Sequence, residues 1–134
     1  MMRYGFTGSQ NGTDSTLILS TLNTLNLTEN DMIVTGACIG IDSQVSHIAK
    51  KHFPFVKQQI FVPNDKKKVD KSVYSNGNVI FMPKHTDYRY RNERIVFNSD
   101  ILIAFWTGKK AYSGTYMTIN IAKDNKIPVK IINI

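Results

Sequence analysis

The 134 residues carry a formal charge of +7, from 17 Lys and Arg against 10 Asp and Glu, and 42% of them are hydrophobic. This is a single domain's length with enough apolar side chains for a core, so a disordered chain is excluded. No apolar run nears the roughly 20 residues of a bilayer-spanning helix, and Met1-Met2-Arg3-Tyr4-Gly5-Phe6 lacks the apolar stretch and cleavage site of a signal peptide.

One cysteine, Cys38, leaves no intrachain disulfide and fits a reducing cytoplasm. The positive balance suits an anionic ligand or a nucleic acid, and equally a surface kept soluble by lysines.

Residues 2–7 read as a short strand. Gly12-Thr13-Asp14-Ser15 then offers helix caps, and Leu17, Ile18, Leu22 and Leu25 follow at helical spacing. Asn30-Asp31 marks a turn, and Met32-Ile33-Val34-Thr35 is short and β-branched, as a buried strand is. Ile41, Val45, Ile48 and Ala49 predict a helix over 41–51, ended by Pro54. Residues 56–62 form a third strand, 63–77 a lysine-rich loop with a short helix, and 78–82 a fourth strand. A polar loop over 83–88 leads to a helix over 89–98. Residues 101–106 are the strongest strand, 113–124 a helix and 129–132 a closing strand. Strands alternating with helices predict an α/β three-layer Rossmann-like sandwich, a single domain over 1–134 with a mainly parallel central sheet.

Such a sheet binds ligands at the carboxyl ends of its strands, where each strand turns into a helix. Three glycine turns fall there: Thr7-Gly8-Ser9-Gln10, Gly36-Ala37-Cys38-Ile39-Gly40 and Ser113-Gly114-Thr115. Backbone N–H groups at a helix start attract anions, and glycine lets a phosphate come close. Asp42, just inside a helix, is either a cap or a contact to a ribose hydroxyl or base. Arg89-Tyr90-Arg91-Asn92-Glu93-Arg94 can clamp a phosphate, or form a surface Arg–Glu network. Trp106 ends the strongest strand and either packs or stacks on a base. The run Lys66-Lys67-Lys68 reads as a solvated loop. His47, His52, His85 and Cys38 have no zinc spacing, so neither a metal nor a cofactor is expected.

Taken in order, Gly5-Phe6-Thr7-Gly8-Ser9, Gly36-Ala37-Cys38-Ile39-Gly40-Ile41-Asp42, Arg91-Asn92-Glu93-Arg94-Ile95-Val96 and Ser113-Gly114-Thr115 resemble the SLOG superfamily of Rossmann-like nucleotide-binding proteins. The nearer likeness is to the core of DNA-processing protein A, the more distant to the Lonely-guy phosphoribohydrolases. The resemblance implies a nucleotide or phosphate pocket walled by Gly8, Ser9, Gly36, Gly40, Arg91, Asn92, Ser113, Gly114 and Thr115. Gln10, Ala37 and Arg94 complete the predicted set, and Asp42 is its polar contact. The superfamily also implies a homodimer.

The phosphoribohydrolases carry Pro-Gly-Gly-x-Gly-Thr-x-x-Glu, and Thr118 stands where that glutamate would lie. A threonine cannot replace a carboxylate that activates water. Glu93 and Asp42 are the candidate substitutes.

Three functions are therefore expected in competition. One is a sensor or binding module for a nucleotide or nucleotide-derived ligand, another a nucleotide N-glycoside hydrolase. The third is a single-stranded nucleic-acid binder using residues 66–71 and 89–94 with Tyr74, Tyr88 and Tyr90.

Overall fold

The computed structural model describes residues 1–111 and 113–134. Six strands, β1 (Arg3–Gly8), β2 (Met32–Gly36), β3 (Lys57–Val62), β4 (Asn78–Phe81), β5 (Ile101–Trp106) and β6 (Val129–Asn133), form one sheet in the order β4-β3-β2-β1-β5-β6. Every pairing is parallel, so the predicted mainly parallel sheet is parallel throughout. The four helices are α1 (Ser15–Asn23), α2 (Ile41–His52), α3 (Tyr88–Phe97) and α4 (Gly114–Asp124). The third crossover carries only a 3-10 segment, Lys71–Asn76.

Side chains alternate across the pleat. Phe6, Ile33, Ile103 and Phe105 pack with Ile18 and Leu22 of α1 and Ile41 and Val45 of α2. Val34, Phe61 and Leu102 pack on the other side with Ile95 and Val96 of α3 and Ile121 and Ala122 of α4. The result is the predicted three layers. Val73 of the 3-10 segment closes a smaller cluster with Ile60 and Val62.

Helix ends follow local chemistry. Asp14, Asp87 and Ser113 accept the N–H groups of Thr16, Tyr90 and Tyr116 and start α1, α3 and α4. α2 ends at His52, since Pro54 keeps Phe53 out of the helical region. α1 stops at Asn23, short of Leu25, which packs against the core from the turn beyond. No helix among the described residues is long and apolar enough to cross a membrane.

The order of strands decides where a ligand can enter. From β1 the chain steps outward through β2, β3 and β4, and α3 then carries it back to the other side of β1. The segments after β1 and β5 therefore leave the sheet in opposite directions and open a crevice between them.

Candidate functional site

A cleft of about 580 Å³ occupies that crevice. Its walls are Gly8, Ser9 and Gln10 after β1, Ser113, Gly114 and Thr115 at the start of α4, and Arg91 and Asn92 on α3. Asp42, Cys38, Tyr88, Trp106 and Lys109 complete the lining that matters chemically.

Arg91 lies on the floor, buried to 6% exposure. Its Nε donates to Asn92 Oδ1 at 3.0 Å and its Nη1 to the Phe61 carbonyl at 3.4 Å. Nη1 also stands 3.8 Å from Asp42 Oδ2. Nη2 meets only the Cys38 sulfur among the described residues, at 3.7 Å. The face of Tyr88 lies 5.8 Å from the guanidinium carbon. An arginine in this setting keeps its charge and has N–H groups to offer to an oxyanion.

Asp42 accepts the Cys38 N–H at 3.2 Å. Burial pushes its carboxyl above the usual range, against the pull of Arg91 and of that N–H. Burial also pushes the Cys38 thiol up, with Arg91 opposing. Such a thiol is a packing group rather than a nucleophile.

The two other glycine turns differ in what surrounds them. At α4, Ser113 Oγ accepts the Tyr116 N–H at 3.1 Å, while the N–H groups of Gly114 and Thr115 have no acceptor among the described residues. A Cβ on Gly114 would meet nothing within 4 Å. This turn is open, as an anion cradle must be. After β1, Asn11 N–H turns back to Ser9 Oγ at 3.0 Å, and the N–H groups of Ser9 and Gln10 have no acceptor among the described residues.

The loop between β2 and α2 departs from expectation. Gly36, Ala37 and Gly40 do not line the cleft. The loop's N–H groups serve the protein itself: Cys38 reaches Asp42, Ile39 donates to the Lys68 carbonyl at 2.8 Å, and Ile41 donates to the Ser9 carbonyl at 3.0 Å. Its glycines admit protein atoms instead of a phosphate. A Cβ on Gly36 would stand 2.6 Å from Asp42 Oδ2, and one on Gly40, whose φ is +89°, would stand 2.5 Å from the Gln10 carbonyl carbon.

Arg94 and Glu93 also fall outside. Arg94 packs over the rings of Tyr90 and Phe97, at 5.3 and 5.0 Å. Glu93 pairs with Arg89 at 3.2 Å on the helix surface, one turn away. At 3.6 residues per turn, successive side chains of α3 point in different directions, so the run around Arg91 splits between cleft and solvent. Thr118 is fully buried and donates to the Gly114 carbonyl at 2.8 Å. Trp106 stacks on Tyr116, with centroids 5.5 Å apart and planes 10° from parallel, and its Nε1 donates to the Lys109 carbonyl at 3.0 Å.

Lys109 was not singled out from the sequence. The signal was present, because Thr107-Gly108-Lys109 leaves the strongest strand at the ligand edge of the sheet. The lysine run is tied down: Lys68 pairs with Ile39, and Lys66 lies over the Phe81 ring at 5.9 Å.

His47 belongs to a separate polar network. Its Nε2 meets Ser72 Oγ at 2.8 Å, Ser72 Oγ donates to Asp70 Oδ1 at 2.6 Å, and Asn76 Nδ2 meets His47 Nδ1 at 3.1 Å. These bonds fasten α2 to the 3-10 segment.

No protein-family model and no curated protein matches the chain. Among the solved structures that share its fold are the following two. TM1055, a structural genomics target, aligns with a TM-score of 0.68 at 17% identity over 96% of this chain and 72% of its own. DNA processing protein A (DprA) from Streptococcus pneumoniae aligns with a TM-score of 0.73 at 18% identity over 98% of this chain. The chain spans 50% of the length of DprA. At these identities the likeness speaks for the fold alone, a Rossmann-like fold shared with both proteins.

Proposed function

We propose that the chain binds a nucleotide or nucleotide-derived ligand in this cleft, as a sensor or binding module. The observation that carries the reading is the convergence at one switch point of three anion-binding elements. These are the open N-terminus of α4, the turn after β1 and the uncommitted Nη2 of Arg91. The phosphate would lie against Ser9, Gly114 and Thr115, with Arg91 and Asn92 beneath it and Lys109 at the mouth. Trp106, already stacked on Tyr116, forms a flat wall beside it.

Turnover has little support in the geometry. Asp42 is the one carboxylate among the described lining residues, and it is engaged by Arg91 and the Cys38 N–H. At 7% exposure Asp42 has little access to a water that it would have to activate.

A second reading, binding of a single-stranded nucleic acid, is favoured by one feature. Phe81 is 56% exposed beside Lys66 on the edge strand, an aromatic face with a cation above it.

The deciding experiment is a thermal-shift screen of nucleoside mono-, di- and triphosphates, cyclic nucleotides, dinucleotides and ADP-ribose, with each hit rerun by chromatography. A ligand that raises the melting temperature and emerges intact supports the binding module. Release of free base assigns a hydrolase. No shift, together with salt-sensitive oligonucleotide binding, assigns the second reading.

A further inference from the structure

We propose that an anion entering the cleft at Arg91 binds together with one proton from solvent, which Asp42 takes up. The inference rests on the anion-site reading above and concerns the regulation of that site by pH.

The geometry is a carboxylate and a guanidinium sealed under the same cleft. Asp42 is 7% exposed and Arg91 6%. Oδ2 of Asp42 holds the Cys38 N–H and faces Arg91 Nη1, whereas Oδ1 accepts no hydrogen bond from a described residue. Lys109, at the mouth of the cleft, is the other cation among the described lining residues, and nearer the pair no lining residue besides Arg91 carries a positive charge. α3 contributes Arg91 and the Tyr88 phenol, the loop after β2 the neutral Cys38 thiol, and the loop after β3 brings the Asp65 charge towards Cys38 and Tyr88. The turn after β1 brings the uncharged Ser9 and Gln10.

One guanidinium thus balances one carboxylate. An oxyanion on Nη2 adds a second negative charge beside the one guanidinium that faces the buried Asp42. Two like charges in such a site titrate as a pair, and one of them takes a proton. Burial already biases the Asp42 carboxyl in that direction. The proton goes to Oδ1, no covalent bond changes, and the neutral carboxyl can then donate a hydrogen bond to the anion it makes room for.

The test uses inorganic sulfate, whose charge stays the same from weakly acidic to weakly alkaline pH. Its affinity is read from the melting-temperature shift against chloride at equal ionic strength. Affinity is expected to fall by up to about tenfold per pH unit over the interval where free Asp42 is ionised and bound Asp42 is not. Asp42→Asn is expected to bind sulfate with no such slope. Calorimetry of the unaltered protein in two buffers of unlike ionisation heat should count close to one proton taken up per sulfate, and needs no variant. A pH-independent affinity, a slope that persists in Asp42→Asn, or zero proton uptake overturns the coupling while nucleotide binding in the cleft still stands. Absence of any sulfate or nucleotide shift overturns the pocket and the coupling together.

Discussion

Gly36 and Arg91 are in contact: a Cβ on Gly36 would stand 2.8 Å from the guanidinium carbon of Arg91. The end of β2 is therefore shaped to let the arginine lie flat beneath the cleft. Arg91→Ala should abolish nucleotide binding and leave the Asp42 carboxylate buried without its counter-charge, a loss of about 3–5 kcal/mol in stability. Denaturant melts and ligand titrations on the same variant check both parts. Nucleotide binding that survives unchanged would remove Arg91 from the site.

Two glycines should respond in opposite ways. Gly40→Ala places a Cβ against the Gln10 backbone at a positive φ, and should destabilise by about 1–3 kcal/mol. Gly114→Ala meets only open space at a helix start. It should keep or slightly raise the melting temperature and still weaken ligand binding, because its methyl group occupies the path of the anion. Thermal melts with and without ligand separate the two effects.

Restoring the acid of the phosphoribohydrolase motif should not create a hydrolase. Thr118 is fully buried with its hydroxyl turned to the Gly114 carbonyl. Thr118→Glu would bury an unpaired charge or force α4 outward, at a cost of several kcal/mol. The expected outcome is a lower melting temperature and no base release by chromatography.

Trp106 is the chain's single tryptophan and lies on the cleft wall. Ligand entry should therefore change the intrinsic tryptophan fluorescence in a saturable way. Trp106→Phe should remove that signal and keep part of the stack on Tyr116, whereas Trp106→Ala should cost about 0.5–1.5 kcal/mol beyond the lost area.

Acid should destabilise the fold through capping and paired carboxylates. Hydrogen bonds from Ser43 and Ser72 hold Asp70 below the usual carboxylate range, and those from Arg3 do the same for Asp100. A carboxyl lowered in the folded state stabilises above its unfolded value, about 3.9, and that contribution is lost as pH falls through the folded value. Asp42, raised by burial, acts with the opposite sign and favours folding at low pH. Chemical melts from pH 5 downward should show falling stability, less steeply in Asp100→Asn.

The sheet was legible above all in Met32-Ile33-Val34 of β2 and in β5, which are covered on both faces and so read as apolar runs. The turns after β1 and before α4 line the cleft for a related reason: parallel strands put all such turns at one edge. The β2–α2 loop was misleading. Its glycines look like a phosphate cradle, yet Asp42 and the Lys68 and Ser9 carbonyls take the N–H groups of Cys38, Ile39 and Ile41. No local pattern encodes that pairing. Arg91 and Arg94 likewise look alike in sequence, and the packing of α3 against β3 and α4 sends one inward and the other to solvent.

The position of β1 between β2 and β5 governs how the molecule can be made. Arg3 N–H donates to Asp100 Oδ2 at 2.8 Å, and the whole length of β1 pairs with residues beyond 100. During synthesis one edge of β1 stays bare until β5 has been made. Closure of the sheet must then wait for contacts between segments distant in sequence, which favours slow, late closure. The strand that opens the crevice precedes the other five in the chain, yet it gains its second neighbour only after β2, β3 and β4 have all been made.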